Sequence, residues 1–308
     1  MTSQSEVNNR RTDGIAVDTR TSETLASSAF ENRRPPRWRR ILRTRNLMIG
    51  LGILLLLVLV GVFAPLLSPY NPYTQNYNIT LLPPQLAHPF GTDEFGRDIL
   101  TRVMYGARID LKVGVISVIS PFIIGILLGS VAAYFGGWVD SIVMRLVDIV
   151  QAFPFIVLII AIVAILGPGL NNMYIAVAGT AWIVYARLIR SEILVQKQQE
   201  YVLAAQAMGG SNWRVMTRHL IPNTVTACII YSMADIALYI LLAAALSFLG
   251  LGAKPPTPEW GAMITEGQSF ITTAWWMSAL PGVAIIITGL GLSLIGDGLS
   301  DLLRPAGR

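Results

Sequence analysis

The residue types that most often carry chemistry are scarce in this chain. Cys228 is the only cysteine and lies in an apolar stretch, which excludes a disulfide or a cysteine metal site within one chain. The two histidines, His88 and His219, are predicted below to lie on opposite membrane faces, which argues against a histidine triad or zinc site. No Gly-x-x-x-x-Gly-Lys-Ser/Thr run for ATP phosphates occurs. We therefore predict no catalytic residue, metal site or cofactor in this chain.

The most informative spacing lies in residues 200–222, called the elbow below. Residues 201–208 are rich in helix formers, and the two glycines at 209–210 allow a left-handed stop. Ser211 or Asn212 can then cap a second helix. Two short helices with a sharp joint are suited to docking into a groove of a soluble partner. A DNA-binding helix-turn-helix and a merely structural amphipathic loop are the alternatives.

Composition indicates that the surrounding elements cross a membrane. Of the 308 residues, 53% are hydrophobic and 13% are charged, against roughly 25% charged in soluble domains. Long windows without any charged residue are each wide enough for a bilayer-length helix. We predict an all-α integral membrane protein with six transmembrane helices. The predicted spans are 46–67, 113–135, 143–166, 172–189, 223–250 and 276–296.

Basic residues set the predicted orientation. Seven arginines between residues 33 and 45 precede the first span, which favours a cytoplasmic N-terminus. An even number of crossings then places the elbow and the C-terminus in the cytoplasm. The predicted organisation is a cytoplasmic tail (1–45), a first span (46–67), an extracytoplasmic loop (68–112), a core (113–303) containing a coupling loop (190–222), and a C-terminus (304–308).

Asp235 is the one acid well inside a predicted span, where an uncompensated charge costs several kcal/mol. Two roles are open for it. It lines a cavity and attracts an amino group of a ligand, or it pairs structurally with a partner subunit. In a lone ion-coupled carrier, which is the rival class of protein, the same residue would be the coupling acid.

The elbow resembles the "EAA" loop of ATP-binding-cassette importer permeases, although Leu203 stands where that family often has glutamate. The residues at the family's spacing are Ala204, Ala205, Gly209, Ile221 and Pro222. The resemblance implies a type I importer permease fold with an ATPase docked on the elbow. Ala204 and Ala205 would allow its close approach, while Trp213, Met216 and Leu220 would seat the second helix. The implied coupling residues are Tyr201, Ala204, Ala205, Gly209, Ser211, Trp213, Arg214, His219 and Pro222.

A second motif, residues 88–111, is similar to the outer segment of the second permease subunit in dipeptide and oligopeptide importers. Its Gly91 and Gly96 suit tight turns. Its charged residues Asp93, Arg97 and Asp98 are predicted to form a local salt-bridged knot, with a structural role or a contact to a binding protein. Further matches to the same family lie at 135–148, 246–261 and 296–305.

The resemblance implies partners and cargo that the residues alone do not. The partners would be a second homologous permease subunit, two ATPase subunits that hold ATP and Mg, an extracytoplasmic substrate-binding protein and membrane lipid, with no nucleic acid. The location would be a bacterial cytoplasmic membrane. The cargo would be short peptides; nickel chelates, glutathione and other small solutes are the alternatives.

Overall fold

The computed structural model describes residues 44–303, so most of the predicted tail and residues 304–308 lie outside it. Within this range the regular secondary structure is helical, apart from one isolated β-bridge between Thr92 and Asp98. The helices are α1 (Arg45–Leu67), α2 (Ile99–Phe135), α3 (Gly137–Gln151), α4 (Phe155–Leu166), α5 (Leu170–Thr180), α6 (Trp182–Gln196), α7 (Glu200–Ala207), α8 (Asn212–Val215), α9 (Ile221–Phe248), α10 (Trp260–Gln268) and α11 (Trp276–Leu303). A 3₁₀ turn at Tyr77–Ile79 and a π-helical segment at Met216–Leu220 complete the set.

Five helical runs in the described part are long and apolar enough to cross a membrane. They are α1, α2, α5 with α6, α8 through α9, and α11. A sixth crossing is possible if α3 and α4, which meet at an angle of 82°, form one broken span. The predicted all-α membrane fold is confirmed, and the predicted six spans correspond to these five runs and the bent pair.

The third span differs most from its prediction as one helix over 143–166. The chain leaves helical geometry after Gln151 and re-enters it at Phe155. Pro154 lies in the gap, where it offers no backbone N–H and disfavours helical geometry at Phe153. An apolar window cannot detect this break because proline interrupts the backbone without changing the hydropathy much.

The second span begins earlier than predicted, at Ile99 rather than 113. Asp98 caps this helix because its carboxylate accepts the backbone N–H of Thr101 at 2.8 Å. The helix contains the buried charges Arg102 and Asp110, which the hydropathy window had assigned to a loop. Helix α2 packs against α1, α6 and α9 and so forms the centre of the fold.

Small residues set how closely α1 approaches α11. A Cβ atom added at Gly50 would lie 2.6 Å from the carbonyl oxygen of Gly291 and 2.9 Å from Cγ1 of Ile295. Gly52, two residues further along the same helix, has nothing within 4 Å. The close contact between α1 and α11 therefore requires the absence of a side chain at Gly50 but not at Gly52.

Gly50→Ala is expected to lower the free energy of unfolding by about 1 to 3 kcal/mol, because a new methyl group must push α1 away from α11. Gly52→Ala is the matched control and should be neutral or stabilising by less than about 1 kcal/mol. Unfolding of both variants in mixed detergent micelles measures the difference. Equal stabilities would show that the close packing of α1 on α11 does not hold the first span.

Candidate functional site

The elbow consists of two short helical limbs, as predicted: α7 is the first limb and α8 is the second. Helix α7 ends at Ala207, and Gly209 follows with φ +79°, the left-handed conformation that glycine adopts without strain. The N–H of Gly210 then donates to the carbonyl of Ala205 at 3.1 Å. Ser211 caps α8, because its hydroxyl accepts the backbone N–H of Arg214 at 3.4 Å. The joint is therefore fixed by local backbone chemistry.

One side of the elbow is anchored to the membrane helices. The side chains that it buries in the core are Val202, Ala205, Val215, Met216 and Leu220. The hydroxyl of Tyr134, at the end of α2, donates to the Asn212 side chain at 3.0 Å. The ammonium of Lys197 donates to the Tyr134 carbonyl at 2.6 Å. The elbow is thus anchored in the core by packing, and it is joined to the end of α2 by the hydrogen bond between Tyr134 and Asn212.

The other side of the elbow carries an exposed apolar surface made of Tyr201, Leu203, Met208 and Trp213. Met208 is 83% exposed and Trp213 is 62% exposed. Solvent-facing apolar side chains grouped on one projecting element typically mark an interaction site. We call these four residues the elbow surface.

The remaining predicted coupling residues divide between the two sides. Ala204, Gly209, Ser211, Arg214 and Pro222 are exposed, and His219 is half-buried. Two expectations about packing need correction. Ala205 points into the core, so it does not offer close approach from outside; Trp213 points outward, so Met216 and Leu220 seat the second limb without it.

A π-helical segment joins the second limb of the elbow to a membrane span. The N–H of Ile221 donates to the carbonyl of Met216, and helical geometry continues through Pro222 into α9. Residues 212–248 therefore form one uninterrupted helical run. Pro222 lies inside this run, just after the π-helical segment, and its missing N–H leaves one backbone hydrogen bond of the run unmade. No sequence signal indicated the π-helix, a geometry often found at functional sites.

Asp235 lies among tyrosines. The hydroxyl of Tyr185, on α6, donates to its carboxylate at 2.7 Å, and that of Tyr239 donates at 3.3 Å. The ring of Tyr231 packs edge-on against that of Tyr185, with centroids 5.6 Å apart. Asp235 is 4% exposed, and both hydroxyl hydrogen bonds to its carboxylate come from tyrosines of this chain. The spacing of 231, 235 and 239 on one helix face was a signal that sequence reasoning did not use.

A buried charge cluster organises the outer segment. The carboxylate of Asp93 accepts from Arg97 Nε at 2.6 Å and from Arg102 Nη1 at 2.5 Å. The carboxylate of Glu266, on α10, accepts from Arg97 at 3.0 Å and from Arg102 at 2.8 Å. Burial raises the pKa of nearby Glu94, and the Asp93 and Glu266 carboxylates add to that rise. The cluster thus ties the outer segment to α10.

Asp98 does not join this cluster, although the predicted knot included it. It stands at the N-cap of α2, where the hydroxyl of Thr101 donates to it at 2.6 Å. Its other oxygen lies 2.9 Å from Nδ1 of His88. Gly91 and Gly96 have φ +74° and +70°, as the predicted tight turns require. The Asp93–Arg97 pair of the predicted knot is therefore present, whereas its further partners Arg102 and Glu266 were not predicted from the sequence.

Comparisons with known proteins agree with this architecture. Residues 125–308 match the family described as "Binding-protein-dependent transport system inner membrane component". Residues 37–84 match the "N-terminal TM domain of oligopeptide transport permease C". A chain in a solved structure of the MetNI methionine ABC transporter shares the fold, with a TM-score of 0.54 and 18% identity. The match covers 66% of this chain and 97% of that one.

Curated relatives are similar over most of their length. A dipeptide transport system permease protein of Alkalihalophilus pseudofirmus is 42% identical over 87% of this chain and 88% of its own. A glutathione transport system permease protein of Pectobacterium atrosepticum is also 42% identical, over 87% of this chain and 89% of its own. This chain therefore belongs to the binding-protein-dependent transport system inner membrane component family, as a multi-pass membrane subunit of a transporter.

Proposed function

We propose that this chain is a permease subunit of an ATP-driven importer of short peptides, and that separate ATPase subunits drive it through the elbow. The observation that carries the proposal is the elbow surface, which exposes four apolar side chains on an element anchored to the membrane helices. Two relatives are named as dipeptide transport system permease proteins, which supports short peptides as the cargo. The N- and C-termini and the elbow would all lie in the cytoplasm.

The helical run from 212 to 248 suggests how movement reaches the membrane. An ATPase bound to the elbow surface would grip α8, and α8 continues without a break into α9. Because Val202 and Ala205 seat the first limb in the same core, both limbs would move with the ends of α2 and α6. A shift of the ATPase would therefore tilt the fifth span, alternately opening the two membrane faces of the path.

The proposed assembly contains this chain, a second homologous permease subunit, two ATPase subunits that hold ATP and Mg, and an extracytoplasmic substrate-binding protein. Asp235 would hold α6 to α9 through Tyr185 so that both spans move together. Direct attraction of a peptide amino group would require the tyrosines around Asp235 to separate first, because the carboxylate is almost fully buried.

Reconstitution of the full transporter in proteoliposomes tests the proposal. A labelled dipeptide should accumulate only when hydrolysable ATP is present on the elbow side. Uptake should persist when ionophores collapse all ion gradients, because the motor is the ATPase. Uptake that needs no ATPase and collapses with an ion gradient would identify an ion-coupled carrier instead. Glutathione serves as the competing cargo, since one relative is named for it, and preferential uptake of glutathione would replace the peptide assignment.

A further inference from the structure

Two adjoining cavities form one cleft on the face that carries the 68–98 and 251–259 segments. Their volumes are about 370 and 490 Å³, within the range of small-molecule sites. Both are lined by Leu170, Asn171 and Thr257, which join them into a single cleft. The walls come from α2, the start of α5 and the connection between α9 and α10. We call this the outer cleft.

The outer cleft concentrates the unneutralised positive charge of that face. The segments 68–112, 167–171 and 251–275 contain five basic residues. Two of them, Arg97 and Arg102, are neutralised in the buried cluster with Asp93 and Glu266. All three others line the outer cleft, and no acidic side chain lines it. They are Arg108, Lys112 and Lys254.

Two of these bases are free for a ligand. Within residues 44–303, neither Lys112 nor Lys254 makes an ion pair or a side-chain hydrogen bond, and both are exposed. Arg108 is held by a hydrogen bond of 2.8 Å from Nη2 to the carbonyl of Val62 and lies over the ring of Tyr105. One fixed cation and one free cation therefore line the 490 Å³ cavity, and the second free cation lines the adjoining 370 Å³ cavity.

Such a grouping is unusual on an extracytoplasmic face. Short outer segments of membrane proteins generally lack lysine and arginine, yet Lys254 stands in one of them. A cleft lined by one sign of charge raises the local concentration of oppositely charged solutes. The amide of Asn171 and the hydroxyl of Thr257 add neutral hydrogen-bonding groups, which suits a carboxylate better than a bare halide ion.

We propose that the outer cleft is a subsite for the carboxylate of the transported solute, which for a short peptide is its C-terminal carboxylate. The inference rests on the proposed function and adds an entry point to it. The binding protein would release its cargo at this face, and Lys112 and Lys254 would receive the carboxylate first. The phosphate of an anionic lipid shares this negative charge, so the test must separate the two sources.

The test measures the maximal uptake rate of alanyl-phenylalanine by the full transporter, at saturating binding protein, in two kinds of vesicle. One kind contains phosphatidylcholine alone and the other adds phosphatidylglycerol. The double variant Lys112→Gln with Lys254→Gln should lower the rate roughly tenfold in both, because charge-assisted hydrogen bonds are lost. The double variant Lys112→Arg with Lys254→Arg should keep the wild-type rate. Arg145→Gln, an exposed base elsewhere in the chain, is the matched control and should have no effect.

Each outcome has a distinct meaning. Unchanged uptake by the glutamine variant would overturn the subsite. A loss confined to vesicles with phosphatidylglycerol would assign the cleft to a lipid phosphate and would also overturn it. A variant complex that keeps its ATPase subunits and its basal ATP hydrolysis is correctly assembled, so lost uptake then reports on the cleft. Absence of peptide uptake by the wild-type transporter would instead refute the proposed function.

Discussion

Trp213→Ala is expected to weaken binding of the ATPase subunits by about 2 kcal/mol, or about 30-fold in Kd. The indole is 62% exposed in this chain, so its loss should not disturb the fold of the permease. A tryptophan at the centre of a protein interface typically contributes this much when it becomes buried. Titration of purified ATPase onto the permease complex in detergent, followed by fluorescence anisotropy, measures the change.

Trp138→Ala is the matched control, because Trp138 is 75% exposed and lies outside the elbow, at the start of α3. It removes the same indole from the same chain, and ATPase affinity should stay within about twofold of wild type, the usual scale for a surface substitution. Equal losses in both variants would attribute the effect to general destabilisation. Wild-type affinity in Trp213→Ala would remove this residue from the docking surface.

Asp93→Ala is expected to lower the free energy of unfolding by about 3 to 5 kcal/mol. The side chain is 2% exposed and accepts hydrogen bonds from two buried guanidinium groups, those of Arg97 and Arg102. Removing it leaves two positive charges with Glu266 as the single compensating carboxylate. The yield of folded protein and its unfolding curve in detergent measure the loss.

Asp148→Ala provides the comparison for that variant. Asp148 also pairs with an arginine, since Arg187 Nη2 lies 2.7 Å from its carboxylate, but its side chain is 54% exposed. Both side chains remain about half accessible, so the expected loss is below about 1 kcal/mol. A similar cost for both variants would contradict the view that burial makes the outer cluster indispensable.

The elbow could be predicted because its determinants are close in sequence. Gly209 must be followed by a cap, and Ser211 supplies one two residues later. The apolar windows likewise located the spans, because a helix in lipid satisfies its own backbone groups. The break before Phe155 is a local effect of Pro154 that hydropathy averaging concealed.

Long-range pairings could not be predicted in the same way. Arg102 meets Glu266 across 164 positions, and Tyr185 meets Asp235 across 50. Nothing near either residue in sequence indicates its partner, so spacing rules favoured the neighbouring Asp98 for the cluster. Burial of Ala205 and exposure of Trp213 likewise depend on how the elbow rotates against α2, which its own sequence does not determine.

Cross-linking from the elbow tests most directly whether a partner ATPase drives this permease. Met208→Cys, labelled with a photo-activated cross-linker in the complete transporter, presents an accessible thiol at the elbow, whereas Cys228 is buried. The predicted product is an adduct with an ATPase subunit. The same label on Leu86→Cys, a fully exposed position in the 68–98 segment, should give no such adduct. Absence of an ATPase adduct from residue 208, or equal adducts from both positions, would contradict the account.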